Sequence, residues 1–118
     1  MVFGRPPLPK RALGGATIGA LYGLFWLLQP LLLQEVVGIA WFLLSVGLLF
    51  YRTMSYHVFV FWALLWVVWR SILDFRASPL DVTQLVVDLA PPAAALILLM
   101  TSDYRARAAA LDADAAEA

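Results

Sequence analysis

The chain has 118 residues, 64% of them hydrophobic and only 14% charged, with a mean hydropathy of +0.86. Soluble domains carry about 25% charged residues, so a water-soluble globule fits poorly, and the wealth of apolar surface excludes disorder. Eight Lys+Arg balance eight Asp+Glu, which excludes a strongly basic nucleic-acid binder, and the lack of cysteine excludes disulfides, thiolate metal sites and thiol catalysis.

The positions of the charges divide the chain. Residues 1–11 hold Arg5, Lys10 and Arg11 around three prolines and read as a stiff cytoplasmic segment that ends at a membrane surface. Residues 12–34 follow without a charge. At ~1.5 Å per residue this run reaches roughly 35 Å, enough to cross a ~30 Å hydrocarbon core. The next uncharged runs, 36–51 and 53–69, are together too long for one crossing, so the chain reverses near Arg52-Thr53-Met54-Ser55. A fourth apolar segment starts with Ser78 as a helix cap, Pro79 at the first helical position and Asp81 completing a capping box.

These runs predict an all-α polytopic membrane protein. One transmembrane domain, 12–102, forms an antiparallel four-helix bundle with helices at about 12–33, 36–51, 55–74 and 79–102. Residues 103–118 form an acidic, alanine-rich cytoplasmic tail that either continues the fourth helix or is solvated. Counted by side, Lys and Arg number six at the end holding both termini and two at the other, so both termini are expected in the cytoplasm of a cell membrane.

Three features inside the spans draw attention. Gly15, Gly19 and Gly23 are four apart on one face of the first helix, an association motif in lipid that serves packing within the bundle or a homo-oligomer. Pro30 bends the last turn of that helix.

Asp88 is a charge inside the fourth span. It shares a stripe with Asp81 and Gln84, and Pro91 and Pro92 strip the carbonyls of Val87 and Asp88 of their i+4 partners. Arg70, near the outer end of the third helix, is the natural counter-ion, although Asp74 one turn on competes for it. The candidate polar site is therefore Asp88, Gln84 and Arg70. It is either a structural pair or, with the freed carbonyls, a proton or hard-cation site.

The third helix carries Phe59, Trp62, Trp66 and Trp69 along one face, the pattern of core packing or an interfacial belt. His57 is the only histidine, so one chain builds no haem or metal site with it, and no nucleotide, hydrolase or metalloprotease motif occurs. No enzyme and no cofactor is expected. The expected partners are the lipid bilayer and a membrane protein or a second copy of the chain.

The four-span plan, with its last span closing in the apolar run and arginine-containing tail of residues 96–107, resembles a loose group of small uncharacterised prokaryotic membrane proteins. That resemblance implies no activity. The chain departs from the small multidrug resistance transporters, whose first helix holds a central glutamate, because here the first helix is uncharged and Glu35 lies at its outer end. The reading is a non-enzymatic accessory or assembly component acting through helix packing. The alternative is a small homo-oligomeric ion- or proton-coupled transporter or channel using Asp88.

Overall fold

A computed structural model describes residues 7–76 and 79–117. Among them are five α-helices and no strand: α1 (Lys10–Leu27), α2 (Leu32–Gly47), α3 (Thr53–Arg76), α4 (Val82–Met100) and α5 (Tyr104–Glu117). The whole is elongated, 56 × 25 × 21 Å. Three helical stretches are long and apolar enough to cross a membrane: Leu32–Phe50, Thr53–Arg76 and Val82–Met100. The first helix is not among them, since its 18 residues include Lys10 and Arg11 in the opening turn.

The helix ends move from their expected places for local reasons. The first helix stops at Leu27 rather than near residue 33. Pro30 drives the preceding residue out of helical geometry and supplies no N–H. The chain therefore turns at Gln29 and Pro30, and Gln34 and Glu35 fall in the first turn of α2. There the Gln34 side-chain oxygen accepts from the Leu31 amide at 3.4 Å, and Glu35 meets the positive end of the helix dipole.

The second helix tightens into a 3₁₀ turn, Leu48–Phe50, and ends on Tyr51 in the left-handed region (φ 56°, ψ 48°). The third helix then begins at Thr53, two residues earlier than expected. Ser78 lies outside the described residues. Asp81 is the cap of α4, taking the Gln84 amide at 3.2 Å, so α4 starts at Val82 and not at Pro79.

Residues 103–117 are neither an extension of α4 nor a solvated tail throughout. After a turn at Thr101–Asp103, α5 packs back beneath the α2–α3 connection, with Tyr104 and Ala108 buried. The Tyr104 hydroxyl donates to the Leu48 carbonyl at 2.9 Å and accepts from the Arg52 amide at 3.1 Å. Asp112 accepts from the Thr53 amide at 3.0 Å. The first amide of α3, which has no partner within its own helix, and the Arg52 amide before it are thus satisfied from α5. Tyr51 stacks on Tyr104 with ring centroids 4.9 Å apart, and burial pushes its phenol above the ordinary range.

The packing centres on α1, which lies extensively against α2 and α4. Its glycines set the spacing. A Cβ on Gly15 would lie 2.8 Å from the Ala95 carbonyl of α4, and one on Gly23 would lie 2.6 Å from the Phe42 amide of α2. A Cβ on Gly19 would collide with Ser45. Consecutive helices need not be the closest neighbours. The backbones of α2 and α3 touch little despite their short connection, because large rings fill the space between them. Trp41 of α2 meets Phe59 and Trp62 of α3 edge-on at centroid distances of 5.9 and 6.1 Å.

Candidate functional site

The fourth helix carries its charge where the chain is most enclosed, for Asp88 is fully buried. Both carboxylate oxygens are occupied. Arg70 Nη2 donates to Oδ2 at 2.9 Å, and Gln84, one turn back on the same helix, donates to Oδ1 at 2.9 Å. The three polar residues singled out in the sequence therefore meet in one network.

The two carbonyls freed by Pro91 and Pro92 are also occupied. Tyr22 on α1 donates its hydroxyl to the Val87 carbonyl at 2.8 Å. Trp66 on α3 donates its indole N–H to the Asp88 carbonyl at 2.9 Å. Each proline removes one donor from the ladder, and each loss is met by a ring from a different neighbouring helix. The helix stays continuous through both prolines.

Sequence reasoning identified the freed carbonyls but not their donors. The available signal was the short supply of donors at that depth, since a buried carbonyl without a partner is costly.

The guanidinium of Arg70 is held by indoles as well as by charge. Its carbon lies 5.8, 5.6 and 5.5 Å from the ring centres of Trp26, Trp66 and Trp69, within cation–π range. Its side chain keeps 18% exposure, against none for Asp88. Asp74, one turn further on α3, is also buried, and its Oδ2 has no hydrogen-bond partner among the described residues.

Beside this network opens a cavity of about 420 Å³, lined by Trp26, Leu31, Leu33, Gln34, Val37, Trp66, Trp69, Arg70, Leu73 and Gln84. Arg70 and the two glutamines are its polar members, and aliphatic chains and indoles form the rest.

The remaining sequence features fall elsewhere. The Gly15, Gly19 and Gly23 face is covered by α2, α3 and α4 of the same chain. Gly38 was not anticipated, and a Cβ there would lie 2.6 Å from the Gly23 carbonyl. Phe59 and Trp66 are core residues, while Trp69 remains partly exposed at the cage. His57 is exposed and stands edge-on to Tyr56. Among the described residues no group of three or more His, Asp or Glu side chains is placed to hold a metal ion. No family model, no curated protein and no solved structure matches the chain.

Proposed function

We propose that the chain is a four-span integral protein of a prokaryotic cytoplasmic membrane, non-enzymatic, serving as an accessory or assembly component through helix packing. The first helix becomes the fourth span because it lies along both α2 and α4 at backbone contact. Where those two cross the bilayer, a helix wedged against both crosses with them. The contacts support an antiparallel arrangement: Gly23 meets Gly38 while Gly19 meets Ser45, and Tyr22 meets Val87 while Gly15 meets Ala95. Both termini then share a side with Lys10, Arg11, Arg52, Arg105 and Arg107, against Arg70 and Arg76 opposite, which favours the cytoplasmic face.

One observation carries the functional reading: the oxygens of Asp88 are all engaged inside the fold. Its carboxylate is paired and hydrogen-bonded, and the carbonyls beside it have donors. A coupling carboxylate in a transporter has to exchange protons or ions with water, and this one is sealed. Large apolar side chains such as Leu32, Phe61 and Ile97 face outward instead, on surfaces suited to lipid or to another membrane protein. A homo-oligomer would have to use those surfaces, since the glycine face is occupied within the chain.

The test is reconstitution in vesicles together with purification from native membranes in mild detergent. Proton and cation flux should not exceed that of empty vesicles, and a membrane protein should co-purify in fixed proportion. A flux that Asp88→Asn abolishes would instead establish the transport reading.

A further inference from the structure

We propose that the cavity beside Arg70 is a binding site for the phosphodiester of a glycerophospholipid. The inference rests on the membrane placement proposed above and adds a ligand to it. Arg70 offers five N–H donors in a planar fork. It spends Nη2 on Asp88, and its Nε has no hydrogen-bond partner among the described residues. Arg70 lines the cavity with three indoles against its guanidinium, and its Nη1 is unspent among the described residues. Gln34 lines the same cavity. Its oxygen is turned to the Leu31 amide, and its NH₂ group is without a partner among the described residues. Arg70 and Gln34 supply donors to the cavity, beside a single acceptor, the Gln84 carbonyl oxygen, and a phosphodiester presents acceptors.

Two further observations select a lipid over a free phosphate. The rest of the wall is aliphatic, and Leu31 and Leu33 are 62% and 65% exposed beside the polar floor, a continuous path for acyl chains. Arg70 also lies six residues before the end of α3. At ~1.5 Å per residue that is roughly 9 Å inside the helix end, from which a long arginine side chain reaches the headgroup boundary. The formal charges of Asp88 and the neighbouring Asp74 outweigh that of Arg70, so recognition rests on directed hydrogen bonds and not on net charge. Zwitterionic and anionic phospholipids should both bind.

The experiment is native mass spectrometry of the full chain in mild detergent, with added phosphatidylethanolamine, phosphatidylglycerol, diacylglycerol or glycerol phosphate. Both phospholipids should be retained, one per chain, while diacylglycerol and glycerol phosphate are not. Gln34→Leu removes a donor and Leu33→Trp fills the mouth, and neither touches the Asp88 pair. Each should weaken retention about tenfold with helix content unchanged; the melting temperature should be unchanged in Leu33→Trp and lowered in Gln34→Leu only by the lost Leu31 cap, whereas Leu65→Trp on the outer face of α3 should retain lipid normally. Retention of diacylglycerol or glycerol phosphate equal to that of the phospholipids, or unchanged retention in both cavity variants, overturns the site. Recovery of the folded chain from the aqueous fraction without detergent would instead overturn the membrane reading itself.

Discussion

Gly23 and Gly38 oppose each other across the α1–α2 contact so closely that neither tolerates a Cβ. One built on Gly23 lies 2.7 Å from the Gly38 carbonyl, and one built on Gly38 lies 2.6 Å from the Gly23 carbonyl. Backbone stands on both sides, so no side chain can swing away. Gly23→Ala and Gly38→Ala should each destabilise the fold by about 1–3 kcal/mol, the usual cost of overpacking. Gly47 meets nothing within 4 Å, and Gly47→Ala should be neutral or stabilising by up to about 1 kcal/mol. Unfolding in detergent by a denaturant titration reads all three. Equal stabilities for Gly23→Ala and Gly47→Ala would refute the close approach.

The Arg70–Asp88 pair should respond asymmetrically to substitution. Removing one member of a buried pair leaves an uncompensated charge and costs about 3–5 kcal/mol, whereas replacing both by apolar groups is often near neutral. Arg70→Met alone should therefore be more damaging than Arg70→Met combined with Asp88→Leu. A double-mutant cycle measures this, and strict additivity would show that the two side chains do not act as a pair.

Tyr22 and Trp66 each substitute for a backbone donor that a proline took away. Tyr22→Phe and Trp66→Phe should each cost about 1–3 kcal/mol by orphaning a carbonyl. Pro91→Ala restores an N–H to the Val87 carbonyl, and Pro92→Ala does so for Asp88. Tyr22→Phe should therefore be milder in a Pro91→Ala background, and Trp66→Phe milder with Pro92→Ala. The cross-combinations should give no relief. Rescue without regard to pairing would mean that the prolines act only by bending the helix.

Asp112 caps a helix far from it in sequence. Asp112→Ala should cost about 1 kcal/mol, as cap losses do. It should speed hydrogen exchange at the amides of Thr53 and Arg52 while leaving the middle of α4 protected. Exchange unchanged at Thr53 would show that α5 does not dock in the folded protein.

Alkaline pH should loosen the same junction. Burial raises the Tyr51 pKa in the folded state above its unfolded value. Its contribution to stability is therefore fully present below the unfolded pKa and is lost as pH rises through the folded one. Tyr51→Phe should flatten the fall in stability above about pH 10. A fall of the same steepness in the variant would assign it to other groups.

The polar network was readable from the chain because its geometry is local. Gln84 and Asp88 are one helical turn apart, and Arg70 is a cation in an otherwise apolar stretch. The donors Tyr22 and Trp66 were not readable as donors, since their roles depend on how three helices are rotated about one another. Helix ends shifted wherever a single residue outweighed the composition: Pro30 ended α1 early, and the Asp81 carboxylate displaced Pro79 as the start of α4. The α5 segment misled most. Alanines and charges dominate it, and what docks it is one buried tyrosine, one buried alanine, the partly buried Leu111 and an aspartate, too few residues to form a pattern.

The neighbour order has a consequence for how the molecule would come apart. In backbone contact the helices run α2, α1, α4, α3, and α2 meets α3 chiefly through the Trp41 ring. If α1 were withdrawn, α3 and α4 would stay clasped through Asp88 while α2 kept only its Trp41 ring contacts and its short connection. The earliest helix in the chain is thus the keystone, and mutations there should scatter the others more widely than equal insults to α2.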